Sequence, residues 1–281
     1  MNKSIKKYFF IFAFPTLAAF AVSFLVPFIM GIYLSFTDFT TVSNARFAGI
    51  GNYIKAFASD TGFVDSLWFT VRFTVVCVIS VNLAAFFLAL LLTRKIKGTN
   101  FFRTVFFMPN LIGGIVLGYI WNLIINGVLG YFGVDITFAA KYGFWGLVVL
   151  MNWQMIGYMM VIYIAGIQNI PRDLSEAAEI DGAGAFQKLR YVTVPMVMPA
   201  VTICTFLVLV NSFKLFDQNL ALTAGAPGRE TQMLALDIYN TFYARVGWQG
   251  VAQAKAVIFF IIVAVIAFLQ LKITSKKEVE Q

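Results

Sequence analysis

The 281-residue chain contains no histidine and only two cysteines, Cys77 and Cys204, each inside an apolar tract. That removes histidine general bases and Cys/His zinc clusters, and it leaves no basis for a disulfide framework. Charge is scarce as well, at 12% of residues, where a soluble domain carries about 25%. What fills the space is hydrocarbon: 60% of the residues are hydrophobic and 17% aromatic, against about 45–50% apolar in soluble domains. Uncharged tracts run from Phe9 to Phe36 and from Ala256 to Leu271, near or beyond the roughly 20 residues that cross a bilayer as a helix. These properties describe a polytopic membrane protein.

Six apolar segments, at about 9–35, 68–93, 104–125, 144–168, 196–216 and 254–272, read as transmembrane helices, giving an all-α membrane fold. They are long and continuously apolar, unlike the short alternating strands of an outer-membrane barrel. The basic start and the Ala19-Phe20-Ala21 triplet imitate a signal peptide. The apolar run outlasts the roughly 7–15 residues of a signal core, however, so it is read as a first membrane helix.

The net charge of +8 does not indicate nucleic acid, because the basic residues flank apolar segments and do not interleave with aromatics on one surface. One set of connections and termini holds thirteen of them: Lys3, Lys6, Lys7, Arg94, Lys95, Lys97, Arg103, Arg172, Lys188, Arg190, Lys272, Lys276 and Lys277. The opposite set holds five, Arg46, Lys55, Lys141, Arg229 and Arg245. The positive-inside rule then puts both termini in the cytoplasm of a multi-pass cell-membrane protein.

The segment 169–195 is polar and ordered in pattern. Pro171 suits a first helical turn, Asp173 and Glu176 suit its positive end, and Gly182 suits its stop. A second short helix is expected from Ala183 to Tyr191, ending before Pro195. Two short helices meeting at a glycine, with Ala177, Ala178 and Ala183 at the corner, make a knob that a cleft on another protein can accept.

The run Glu176-Ala177-Ala178-Glu179-Ile180-Asp181-Gly182-Ala183 with Val192-Thr193-Val194-Pro195 resembles the EAA loop of type I binding-protein-dependent ABC importer permeases. Asn169 to Leu174 and the position of Pro195 narrow this to sugar permeases similar to the maltose and glycerol-phosphate systems. The resemblance covers about Phe69 to Lys272. It implies an importer domain over 68–272, preceded by a helix and external loop in 1–67 and followed by a cytoplasmic tail, 273–281. It further implies that Glu176, Ala177, Ala178, Asp181, Gly182 and Ala183 couple to an ATPase. No phosphate-cradling Gly-x-x-x-x-Gly-Lys-Ser/Thr occurs in the chain, so ATP and Mg are expected on that partner; no cofactor, metal or catalytic residue is expected on this chain. The implied partners are a second homologous permease, two ABC ATPase subunits, an extracytoplasmic solute-binding protein, membrane lipid and a carbohydrate.

Polar side chains inside membrane helices are costly and mark cavities or helix contacts. The maltose-type resemblance selects Asn110, Gly114, Gln154, Tyr158, Asn211 and Ser212 for the substrate path. Lys214 and Asp217 would pair if the helix continued through both. The stretch 217–253 is expected as a loop with a short re-entrant helix. Its Thr223-Ala224-Gly225-Ala226-Pro227-Gly228 resembles the family's Thr-x-Gly-Gly-Pro turn, which implies contact of Gly225 and Pro227 with the binding protein. The contrasting reading is an ion- or proton-coupled secondary transporter, which needs intramembrane carboxylates. Asp217 alone is placed for that role, at a helix end.

Overall fold

The computed structural model describes residues 3–58, 61–94 and 97–276, with side chains from Phe10 onward. Of the basic residues counted above, Lys95 and Lys277 and the side chains of Lys3, Lys6 and Lys7 lie outside the described residues, as does the tail past Lys276.

The chain forms two compact units, 1–63 with 238–260 and 64–237 with 261–281. The first unit opens with α1 (Lys3–Phe20) and α2 (Val26–Ser35), joined through a π turn at Ala21–Leu25. A two-residue hairpin of β1 (Thr37–Asp38) and β2 (Arg46–Phe47) follows, then α3 (Gly51–Ala56). Buried Asn52 holds the exit of α2 by donating to the Ser35 and Thr37 carbonyls at 3.2 and 2.9 Å. Lys255, fully buried, donates to Thr241 Oγ1 at 2.9 Å and lies over the Phe63 ring at 5.6 Å. A buried ammonium is tolerable only with such partners.

The second unit begins with α4 (Phe63–Leu92) and α5 (Thr99–Phe107). It continues with α6 (Gly114–Gly130) and α7 (Ala140–Gln168), the central helix, whose buried face runs from Gly143 to Ile164. Then come α8 (Arg172–Ile180), α9 (Ala185–Lys188), α10 (Val194–Met196), α11 (Met198–Phe213) and α12 (Asp217–Leu222). The last helices, α13 (Leu234–Ala244) and α14 (Gln249–Ser275), cross between the two units as chain segments. The core of the second unit gathers Phe73, Cys77, Leu117, Leu147, Met151, Met159, Tyr163, Cys204 and Val208.

Among the described residues four helices are long and apolar enough to cross a membrane, or up to six spans if each of two bent helix pairs counts as one. Those pairs revise two expectations. The 104–125 segment is broken between α5 and α6 by 102°. Pro109 sits in a 3-10 turn there, and Ile112 and Gly113 are extended. The second revision concerns Pro195, which does not close a short helix. The chain passes through it by way of a π turn at Leu189–Thr193 and bends 67° at Val197 before α11. Proline removes one helical hydrogen bond and crowds the carbonyl four residues back; the wider π turn relieves that crowding.

Glycine sets the closest helix approach. A Cβ on Gly157 of α7 would lie within 2 Å of the Phe106 carbonyl oxygen, so α5 and α7 meet backbone to backbone.

Candidate functional site: a polar cavity, an anchored turn and an exposed knob

α11 stops short of Asp217. Lys214 closes it, Leu215 and Phe216 are non-helical, and Asp217 opens α12. Lys214 and Asp217 therefore do not share a helical face, and they form no ion pair. Each suits its helix end, a cation at the carbonyl terminus and a carboxylate at the amide terminus.

Both line a cavity of about 280 Å³ with Asn110, Met151, Gln154, Met155, Asn211, Leu215, Phe216 and Gln218. This is near the lower end of small-molecule sites, roughly 300–1,000 Å³, and fits a short piece of a larger ligand. Gln218 Nε2 donates to Gln154 Oε1 at 2.9 Å across it, and Asn211 Nδ2 is held by the Leu207 carbonyl at 2.8 Å. Among the described residues the Asn110, Lys214 and Asp217 side chains have no polar partner. Lys214 and Asp217 are exposed and Asn110 is half-buried, so these polar heads are open to water or to a hydroxyl-bearing ligand.

Of the six residues expected on the substrate path, the fold gathers Asn110, Gln154 and Asn211. Gly114 stands behind the wall: a Cβ there would sit 2.7 Å from Asp217 Cβ, so its bare backbone admits α12. Tyr158 packs edge-on against Phe107, with ring centroids 6.3 Å apart, and Ser212 is fully buried. Gln218 and Phe216 were not foreseen. The polar run Asp217-Gln218-Asn219 straight after an apolar segment is the signal that marks them. A larger groove of about 910 Å³ between α4 and α7, with Trp68, Arg72, Lys141 and Trp145 in its lining, includes none of the residues expected on the substrate path.

Beyond α12 the turn at 223–231 is anchored by buried polar groups. Asn219 Nδ2 donates to the Thr231 carbonyl at 2.8 Å, its Oδ1 accepts the Met233 N–H at 2.9 Å, and the Thr231 hydroxyl donates to the Ala226 carbonyl at 2.6 Å. The Ala226–Pro227 bond is cis, and Ala224, Gly225, Gly228 and Arg229 all have positive φ. Gly225 is buried against Gln232 and Pro227 is half-buried, while Ala224, Gly228, Arg229 and Glu230 form the exposed rim.

The α8–α9 corner is built in the opposite manner. Ala183 N–H bonds the Ala178 carbonyl at 2.9 Å and Gly182 N–H bonds the Glu179 carbonyl at 3.1 Å, the paired bonds of a Schellman stop. Gly182 takes φ +74°, with open space where a side chain would stand. Gln187 accepts the Gly184 N–H at 2.8 Å, and Lys188 pairs with Glu179 at 2.7 Å. Glu176, Ala177 and Asp181 are exposed, and Ala178 and Ala183 are half-buried at the corner. Ile180 and Phe186 stand 86% and 71% exposed beside them. Large apolar side chains presented in this way on a polar knob mark an interaction surface.

The chain is similar to known proteins. Residues 82–278 match the model of the family described as binding-protein-dependent transport system inner membrane component. A protein of Thermoanaerobacterium thermosulfurigenes, named a probable starch degradation products transport system permease, is 48% identical over 97% of this chain and 96% of its own. The multiple sugar-binding transport system permease of Streptococcus mutans is 32% identical, over 92% of each chain. In solved structures, a chain of a bacterial ABC transporter that imports the acidic polysaccharide alginate superposes with a TM-score of 0.80 over 98% of both chains, at 19% identity. The chain thus belongs to the family of binding-protein-dependent transport system inner membrane components, a multi-pass permease and not an enzyme.

Proposed function

We propose that this permease takes up neutral oligosaccharides of the kind released from starch, received from an extracytoplasmic binding protein and driven by ATP hydrolysed on separate subunits. The observation that carries the substrate is the near full-length 48% identity to a permease named for starch degradation products. The cavity agrees chemically: Asn110, Gln154, Asn211 and Gln218 offer amides to hydroxyls, and Lys214 and Asp217 balance in charge.

The assembly contains a second, similar permease and two ATPases that bind ATP and Mg. Both termini and the α8–α9 knob face the cytoplasm, following the distribution of Lys and Arg, and the 223–231 turn faces outward toward the binding protein. Glu176, Gly182 and their neighbours seat in the ATPase, with exposed Ile180 and Phe186 adding apolar contact. Closure of the ATPases favours the outward-open state by binding its knobs more tightly, which is the differential affinity any such cycle requires.

Vesicles reconstituted with all subunits and a maltotriose-loaded binding protein should accumulate sugar only with ATP. Uptake driven by an ion gradient with no ATPase present overturns this reading in favour of a secondary transporter.

A further inference from the structure

Helix α12 is six residues long, about 9 Å at 1.5 Å per residue, and every part of it is engaged. Its first two residues, Asp217 and Gln218, are cavity wall. The third, Asn219, is fully buried, and its amide is saturated by the turn: two donated bonds, to the Thr231 carbonyl and Thr223 Oγ1, and one accepted from the Met233 N–H. Its last carbonyl, Leu222, accepts from Asn122 Nδ2 at 2.7 Å.

The back of α12 lies on α6 with no room to slip. A Cβ at Gly118 would stand 2.7 Å from Ala221 Cβ and 3.1 Å from the Gln218 carbonyl oxygen, and Gly114 meets Asp217 equally closely. Gly114, Gly118 and Asn122 recur every fourth residue, on one face of α6. Among the described residues the one bond reaching from α12 across the cavity is Gln218 to Gln154, a side-chain contact that can break without disturbing any backbone.

We infer that α12 is a rigid relay and that Asn219 is the positioning residue tying the outward turn to the cavity wall, so that a protein docking on the Arg229–Glu230 rim reorients Asp217 and Gln218. This rests on the proposal that the turn meets the binding protein. The direction of coupling follows from stiffness: a displaced turn pulls on three hydrogen bonds to one buried amide, and α12 can respond only as a unit with α6. Allosteric coupling between two sites is typically about 5–150-fold in affinity. Losing a saturated buried amide leaves its former partners unsatisfied and uncouples the turn.

The test uses the complete transporter in proteoliposomes. With Asn219→Ala, stimulation of ATP hydrolysis by maltotriose-loaded binding protein should fall severalfold, while the rate without binding protein is unchanged. Thr231→Ser, which keeps the hydroxyl, should retain stimulation, and Thr231→Val should reduce it. The movement itself can be read from Asp217→Cys, since native Cys77 and Cys204 are buried. Binding protein should change its rate of labelling by a soluble thiol reagent, and the change should vanish when Asn219→Ala is added. Stimulation preserved within twofold in Asn219→Ala overturns the relay alone, as does a proportional fall of the stimulated and unstimulated rates, which would make Asn219 purely structural. Absence of stimulation in the unmodified transporter overturns both the relay and the function on which it rests.

Discussion

The α8–α9 knob and the 223–231 turn are both polar connections between apolar helices, yet one is held from within and the other from below. The knob is stabilised by bonds between neighbours in sequence: the Schellman pair at Gly182, the Gln187 bond to Gly184, and one ion pair. Its side chains face outward. In the turn, buried Asn219, Thr223 and Thr231 do the holding, and the Leu234 N–H is bound by Thr70 Oγ1, 164 positions earlier in the chain. A connection stabilised locally can be moved as a body without disturbing the core. One rooted in the core passes its displacements on.

This difference predicts two kinds of failure. The largest effect should come from Gly118→Val, which places methyl groups against Ala221 and the Gln218 backbone. Overpacking of this sort costs about 1–3 kcal/mol, and both the folded yield after membrane extraction and uptake should fall together. Gly182→Val should separate the two: no atom obstructs the side chain, but the positive φ costs a β-branched residue about 1–2 kcal/mol locally. Yield and membrane insertion should then stay near normal while uptake is lost. Equal loss of yield in both variants would erase the distinction between knob and turn.

Gly182→Asn sharpens the point, since asparagine tolerates this backbone region better than other side chains; uptake should recover part of the way from the valine level. Smallest of all is Lys188→Ala. The pair it breaks with Glu179 is solvent-exposed, and such pairs contribute about 0–1 kcal/mol and less at high salt. Uptake should change by less than twofold, the difference shrinking further as salt is added to the assay.

The knob was legible in the sequence because everything that shapes it is local. Pro171, the alanines, Gly182 and the flanking charges lie within a few residues of the bonds they make. The apolar segments were legible for the same reason, through length and composition. What could not be read was where two of them bend: Pro109 with Gly113, and Pro195, permit a kink, but the angle depends on what packs against it. The cavity was half legible. Asn110, Gln154 and Asn211 stand out as polar residues in apolar tracts, whereas Gln218 matters only because α11 breaks at Lys214 and the chain folds back. The Lys214–Asp217 pairing failed for that reason, and Gly114 moved from cavity lining to helix contact because α12 occupies the space before it.

The approach of α7 to α5 at Gly157 has a consequence for mutational tolerance. Position 157 cannot accept even the single methyl of alanine without moving the Phe106 carbonyl, so no substitution at that codon is conservative. In a saturation scan scored by uptake, Gly157 would read as intolerant as any residue that touches the substrate, although it contributes no atom to the cavity; its role is to leave space empty.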